Sequence, residues 1–302
     1  LTQQTIQKPP PTIHPTPTIK PVLEAKDSNH DKETLTRMEY FRNGFNPSEL
    51  TDFFQRIKEQ EDVLYQIGVR DEKIKSYNEQ FKPLGDKILP MAGGVIGIEV
   101  APEFRDLFHC LILAESIGDP NAVSSVGATG LTQVMPIGAM DTLLTVGDAW
   151  KRKPEAYGQI WDLVKKSDPL TANVNNPREL DLTKIKVGDF KKQNLIDPAT
   201  NIALGAVQFL TLINRFDENL GMTISAYNAG SGKIKNAVNK YWQMQGEPAV
   251  RHTNRPNFIE AFNLKGELGL DPDEKNENWI YLPRILAIYR KIHGPQVFPL
   301  VT

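Results

Sequence analysis

The segment that most constrains this 302-residue chain is an apolar run that ends in a single carboxylate. Read backwards from Glu115, apolar residues recur every three or four positions, at Leu111, at Leu107 or Phe108, and at Phe104. This spacing predicts one face of a helix over about residues 103–116, which the turn sequence Gly118-Asp119-Pro120-Asn121 must end. A carboxylate on the buried face of its helix is costly to ionise, so we expect a raised pKa for Glu115. Such an acid can donate a proton to a leaving group, which makes Glu115 the first candidate for chemistry.

Composition and charge exclude several classes of protein. A formal net charge of -2 argues against a nucleic-acid binder, and no run of about eighteen apolar residues predicts a transmembrane segment. The single cysteine, Cys110, excludes an intrachain disulfide and a cysteine-cluster metal site, and its apolar surroundings predict a small buried side chain. The five histidines have no metal-ligand spacing, so we expect no histidine metal site.

The pattern of residues changes along the chain and predicts three regions. Residues 1–22 carry six prolines among Thr, Gln and Lys, which predicts an extended arm, with a PxxP ligand as the alternative. Residues 23–92 predict a small helical region, with helices from about residue 32, from Asn46-Pro47-Ser48, and over Asp71 to Phe81. A turn-rich joint is expected over Gly85 to Gly94, and residues 93–302 form the main body.

The main body predicts helices with few or short strands. Asp197-Pro198 supplies a cap and a first turn for a helix whose buried stripe is Ala203, Val207, Leu210 and Ile213. Gly230 is suited to end a short helix, and a last helix over about residues 279–292 follows Asn278 as its expected cap. The predicted fold class is therefore mainly α.

Four short motifs follow one another in this body. They are Glu115-Ser116, Ser124-x-x-Gly127-Ala128-x-Gly130-Leu131-x-Gln133, Ala226-Tyr227-Asn228-Ala229-Gly230, and Glu277-x-x-x-Tyr281. In this order they resemble the catalytic domain of the soluble lytic transglycosylases, relatives of goose-type lysozyme. The segment Asn201-Ile202-x-x-Gly205 also resembles the family's helix between the second and third of these motifs. The resemblance covers about residues 95–292 and implies a lysozyme-like catalytic domain behind the helical region and the proline-rich arm.

The resemblance implies a role for each matched residue. Glu115 matches the catalytic acid and base, and Ser116 matches a neighbour that assists the N-acetyl group of the sugar. Gln133 matches a sugar contact in the groove-lining segment that contains Gly127, Gly130 and Leu131. Tyr227 and Asn228 match residues that face the acid, Tyr281 matches a tyrosine that orients it, and Glu277 matches the start of the closing helix.

Two residues depart from the pattern of the family. Thr132 replaces the usual Met and predicts a more polar groove wall, and Asn278 replaces the usual Thr as a helix cap.

The implied activity is cleavage of peptidoglycan between N-acetylmuramic acid and N-acetylglucosamine, with 1,6-anhydro ends and without a metal or cofactor. The implied location is the bacterial cell envelope, periplasmic or secreted. Two alternatives remain: a hydrolytic muramidase of the same fold, and a wall-binding or assembly protein of a secretion apparatus or phage tail. In the last case the proline-rich arm or an insertion would contact the partner.

Each candidate residue also has a purely structural interpretation. Glu115 could be a buried acid satisfied by Tyr227 or Tyr281, Gln133 could satisfy buried backbone, and both tyrosines could be core residues. Asp119 is an alternative second carboxylate, although its Asp-Pro context favours a turn residue.

An insertion is predicted over about residues 141–192, where simple members of the family have a shorter link. Residues 147–192 carry ten basic and seven acidic side chains, together with Trp150, Tyr157 and Trp161. We hypothesise a lobe beside the cleft that touches glycan, stem peptide or an acidic partner; the alternative is a lobe that only packs.

Overall fold

The structure is a computed structural model that describes residues 47–244 and 277–294, with side chains over 54–236 and 280–294. The proline-rich arm and the helix expected from about residue 32 lie outside the described residues. In the described part the chain forms eleven α-helices: α1 Pro47–Leu64, α2 Asp71–Gln80, α3 Lys82–Ile96, α4 Pro102–Ser116, α5 Pro136–Arg152, α6 Pro154–Val164, α7 Lys192–Leu195, α8 Pro198–Arg215, α9 Leu220–Ala229, α10 Ser231–Met244 and α11 Glu277–His293.

The mainly α prediction is confirmed. Strand pairing within the described residues is limited to two isolated bridges, Val123 with Thr129 and Thr129 with Val134. The core is continuous across these helices, and α3 lies along α8 while α11 packs on both α1 and α4. The helix that carries Glu115 is therefore surrounded by other helices.

Helix α4 ends as predicted, but it is buried more completely than an amphipathic helix. Ile117 and Gly118 take positive φ values of 56° and 75°, which stops the helix after Ser116. Every side chain from Leu107 to Leu113 is buried, so the apolar run faces protein on all sides. Cys110 is completely buried, as predicted, and burial raises the pKa of its thiol.

The turn-rich joint predicted over Gly85 to Gly94 is wrong, because this segment is the middle of α3. Its glycines serve close packing instead of turns. A Cβ at Gly85 would lie 2.7 Å from Cε1 of His109, and one at Gly93 would lie 2.8 Å from the carbonyl oxygen of Ile98. The turn comes only at Gly97, whose φ of 82° ends the helix.

Most of the other predicted helix boundaries are confirmed. Oδ2 of Asp197 accepts a hydrogen bond from the Thr200 amide at 2.9 Å and caps α8, and the predicted stripe of α8 is buried. Gly230, with a φ of 88°, ends α9. The expected cap at Asn278 is wrong, because α11 begins one residue earlier, where the acidic Glu277 suits the positive end of the helix dipole.

Residues 141–192, predicted as an insertion, contain most of α5, all of α6 and the 3₁₀ turns that follow α6. The rings of Trp150 and Trp161 stack with their centroids 4.7 Å apart, and the two side chains are 4% and 1% exposed. The aromatic faces of these two tryptophans are therefore packed inside the protein, and contact of this region with glycan, stem peptide or a partner stays a prediction.

A buried polar network joins α2, α3 and α4. The Tyr77 hydroxyl lies 2.5 Å from Nδ1 of His109, and Nε2 of the same ring lies 3.0 Å from Oδ1 of Asp86. Burial lowers the pKa of His109, although the hydrogen bond to Asp86 opposes this effect. A neutral ring satisfies both partners, since Nε2–H donates to Asp86 and Nδ1 accepts from Tyr77.

We expect this network to make stability depend on pH. Because the folded pKa of His109 lies below the unfolded value of about 6.5, the unfolded chain binds more protons just below that pH. The contribution is therefore fully present above about pH 6.5 and is lost as the pH falls. Thermal unfolding between about pH 7.5 and about pH 5 should show a steeper loss for the unaltered protein than for His109→Gln. Parallel curves for the two proteins would contradict this assignment.

Candidate active site

Glu115 lies in the last turn of α4 and is half-buried. The hydroxyl of Tyr281, a buried residue of α11, donates a hydrogen bond to Oε1 of Glu115. Burial and then the charge of Glu115 raise the pKa of Tyr281 well above its ordinary value, so its phenol remains a donor. The structure thus joins two predicted site residues that lie 166 positions apart.

Tyr227 of α9 also lies close to Glu115 but bonds elsewhere. Its hydroxyl donates to the carbonyl oxygen of Thr132 at 2.9 Å. Burial and then the nearby charge of Glu115 raise the pKa of Tyr227. Tyr227 therefore links the region around Glu115 to the segment that contains Gly127, Gly130 and Gln133.

That segment is a compact loop with strained and permissive backbone positions. Gly127, Gly130 and Gln133 take φ values of 90°, 80° and 48°, and Leu131 is completely buried beneath them. Nε2 of Gln133 donates to the carbonyl oxygens of Gly130 at 2.9 Å and Ala122 at 3.2 Å. Its amide nitrogen thus supports the loop, as the structural interpretation expected, while the side chain also lines a cleft.

The side chain of Asn201 fixes this loop to α8. Its Nδ2 donates to the carbonyl oxygens of Thr129 at 2.8 Å and Leu195 at 2.9 Å. Its Oδ1 accepts from the amide and the hydroxyl of Thr132, each at 2.8 Å. The motifs place Asn201 only in a segment that resembles the family's helix between the second and third motifs, and no local sequence signal identifies this role of its side chain.

The more polar groove wall predicted from Thr132 is wrong. Thr132 is completely buried, and its hydroxyl donates to Asn201 instead of facing the cleft. A Cβ at Gly205 would lie 2.5 Å from Cβ of Thr132, so α8 approaches this side chain as closely as a glycine allows. Asn201 supplies the acceptor that makes burial of the hydroxyl inexpensive.

Gly130→Ala should destabilise the protein more than Gly127→Ala. Both sites need a positive φ, which costs an L-residue about 1–2 kcal/mol. Only at Gly130 would the new Cβ also meet Asn201, with Nδ2 at 2.3 Å, whereas nothing lies within 4 Å at Gly127. That crowding should add about 1–3 kcal/mol to the loss of unfolding free energy, measured in urea. Equal losses in the two variants would show that the contact with Asn201 is unimportant.

Ser116 and Asp119 both bond to nearby backbone. Oγ of Ser116 is buried, donates to the Ile112 carbonyl oxygen at 3.1 Å and accepts from the Gly118 amide at 3.2 Å. Its role toward a sugar stays a prediction. Asp119 is exposed and accepts from the Asn121 amide at 2.9 Å, which fits the turn interpretation.

A cleft of about 710 Å³ lies between the loop and helices α5, α8 and α9. Three predicted site residues line it together: Gln133, Tyr227 and Asn228. Asp141 of α5, Gln208 and Arg215 of α8 also line it and were missed by the sequence motifs. Glu277, the remaining predicted residue, is the first residue of α11, four positions before Tyr281.

In the part of the chain that the structure covers, no group of three or more His, Cys, Asp or Glu residues is placed to hold a metal ion. Among the same residues, no helix combines the length and apolar character that crossing a bilayer requires.

Comparison with known proteins gives one family match. Residues 104–156 and 176–248 match the transglycosylase SLT domain, and the gap between them falls in the predicted insertion. A solved structure of an inactive mutant of the lytic transglycosylase Slt from Pseudomonas aeruginosa is 19% identical, with a TM-score of 0.43. The alignment covers 88% of this chain but only 36% of that one, so this chain spans little more than a third of that protein's length. No curated protein sequence gives a significant match.

Proposed function

We propose that this chain contains a transglycosylase SLT domain and is a lytic transglycosylase acting on peptidoglycan glycan strands, on the support of the family match over residues 104–156 and 176–248. The observation that carries the proposal is the setting of Glu115 inside the matched domain. Its carboxylate is held by Tyr281 and lies near Tyr227, which lines a cleft large enough for a saccharide. Glu115 and Tyr281 are not themselves among the residues that line this cleft, and Tyr227 is the residue that links the acid to it.

In the proposed reaction, one carboxyl group works twice. Protonated Glu115 donates its proton to the bridging oxygen as the bond from C1 of N-acetylmuramic acid to O4 of N-acetylglucosamine breaks. The 2-acetamido oxygen stabilises the positive charge at C1. Ionised Glu115 then takes the proton of the 6-hydroxyl, whose oxygen attacks C1 and closes the 1,6-anhydro ring. Glu115 ends protonated, and neither water nor a second carboxylate is consumed.

The neighbouring residues are proposed to hold the glycan and the acid. Gln133 and Asn228 line the cleft and are proposed as sugar contacts, and the Tyr281 hydroxyl is proposed to hold the Glu115 carboxyl group in position. Tyr227 lines the cleft, and its hydroxyl already donates a hydrogen bond to the carbonyl oxygen of Thr132. We therefore assign Tyr227 a role in positioning the glycan and not in proton transfer. Ser116 is proposed to assist the acetamido group, which requires its hydroxyl to leave the backbone partners described above.

One observation favours the hydrolytic alternative. Asp141 is an exposed carboxylate in the same cleft, and glycosidases that hydrolyse their substrate use a second carboxylate as nucleophile or to activate water. In that case the strand would end in a reducing sugar instead of an anhydro sugar.

Mass analysis of the products from purified sacculi separates the candidate functions. A lytic transglycosylase releases muropeptides with anhydro ends, and a muramidase releases products heavier by one water molecule per cut. A wall-binding or assembly protein releases none. We expect anhydro ends; reducing ends would favour the role of Asp141, and the absence of products would contradict both enzymatic functions. Activity on the cell wall would place the protein in the bacterial envelope or outside the cell.

A further inference from the structure

Tyr281 reaches Glu115 from a helix that lies outside the residues matched to the SLT domain. That helix packs on α4 and α9, which lie almost wholly within the match, and also on α1, which lies outside it. Ile57 and Leu64 of α1 are buried in the same core as Ile285 and Ile288 of α11. The two helices pack along much of their length. The placement of Tyr281 thus depends on a part of the chain that precedes the matched domain.

Two polar contacts fix α11 against α1. Nη1 of Arg290 lies 3.1 Å from Oε1 of Glu61, with side chains 18% and 32% exposed. Nε of Arg284 lies 3.4 Å from Oε1 of Gln60, a residue that is 8% exposed. Apolar packing alone allows a helix to rotate or slide by small amounts, whereas these contacts are directional. Arg284 follows Tyr281 by three residues, so Gln60 holds the same turn of α11 that presents the phenol.

We propose that Gln60 and Glu61 are positioning residues for catalysis, which set the rotation and height of α11 so that Tyr281 meets Glu115. This inference rests on the proposed function. A side-chain tip lies at least about 5 Å from its helix axis, so a rotation of about 10° moves it by roughly 1 Å. A misplacement of about 1 Å near reacting groups can reduce the rate by up to about 100-fold. Partly exposed ion pairs contribute little to stability, so the effect on rate should exceed the effect on folding.

The test compares kcat for Glu61→Arg in two backgrounds. Placed beside Arg290, the new charge should displace α11 and lower kcat about tenfold or more, with KM little changed. In a Tyr281→Phe background the same substitution should have almost no further effect, because the contact through which it acts is already absent. Adding Arg290→Glu to Glu61→Arg should restore most of kcat. Glu59→Arg, the same charge reversal at an exposed neighbour on α1, is the matched control.

A second measurement does not need substrate. The Cζ resonance of labelled Tyr281 reports its hydrogen bond to Glu115, and Glu61→Arg should shift it toward the position found in Glu115→Ala, which lacks the acceptor. The milder Glu61→Gln and Gln60→Ala variants should shift it in the same direction, and Glu61→Gln should keep the melting temperature of the unaltered protein.

The outcomes separate the inference from the proposed function. An unchanged resonance, or an equal loss of kcat with and without the Tyr281 hydroxyl, would overturn the positioning role. Absence of cleavage by the unaltered protein would contradict the proposed function, while the resonance would still test the placement of Tyr281.

Discussion

Glu115→Gln is expected to abolish strand cleavage while the protein stays folded. Acid and base assistance by one positioned group is worth about 100- to 10,000-fold, and here the same carboxyl serves both steps, so the loss should lie at the upper end. The amide has the shape of the carboxylic acid, and its oxygen can still accept the hydrogen bond from Tyr281. Release of anhydro muropeptides from sacculi measures the activity, and thermal unfolding measures the fold.

Glu103→Gln is the matched control for this variant. Glu103 lies in the first turn of α4, twelve residues and about 18 Å along the helix from Glu115. The substitution makes the same change of charge on the same helix, away from the cleft. It should keep full activity. Cleavage by Glu115→Gln at a rate close to that of Glu103→Gln would show that another group supplies the proton.

The parts of the fold predicted well are those that local sequence decides. The bounds of α4 followed from the spacing of its apolar residues and the turn behind them. The start of α8 followed from Asp197-Pro198, because a capping side chain acts on amides two or three positions away. The motif residues Gln133, Tyr227 and Asn228 line one cleft, which the resemblance implied and composition did not.

The parts predicted poorly depend on contacts between distant segments. Gly85 and Gly93 favour a turn by local preference, yet each marks a place where another residue approaches α3 closely. The motif predicts Thr132 on the groove wall, and its neighbours in the sequence do not indicate that it bonds to Asn201, which lies 69 residues away. The contact between α1 and α11 could not be predicted for the same reason, because Gln60 and Arg284 are separated by 224 positions. A single sequence has no local signal for such pairs.

Asn201→Leu is expected to remove a large part of the protein's stability. The Asn201 side chain is completely buried and satisfies four backbone or side-chain groups, from Thr129, Thr132 and Leu195. A leucine of similar size would leave the Thr132 amide and the Leu195 carbonyl oxygen without this partner, at about 1–3 kcal/mol each, or roughly 2–6 kcal/mol in total. The Thr129 carbonyl oxygen would keep its hydrogen bond from the Val134 amide, and the Thr132 hydroxyl would keep the carbonyl oxygen of residue 201. Because small proteins are stable by only about 5–15 kcal/mol, the variant should melt far below the unaltered protein.

Asn201→Asp separates the lost hydrogen bonds from the change in shape. Its carboxyl can still accept from the amide and hydroxyl of Thr132, but an ionised form would face the carbonyl oxygens of Thr129 and Leu195 without a proton to donate. Burial beside two carbonyls should raise the folded pKa above the unfolded value of about 3.9. Stability should therefore be greatest at low pH and be lost as the pH rises through the folded pKa, whereas Asn201→Leu should show no such added dependence. Urea unfolding at about pH 5 and about pH 8 measures the difference.

A loss below about 1 kcal/mol in Asn201→Leu would mean that the Thr132 amide and the Leu195 carbonyl oxygen find other partners, and that the loop carrying Gln133 is held chiefly by the packing of Leu131.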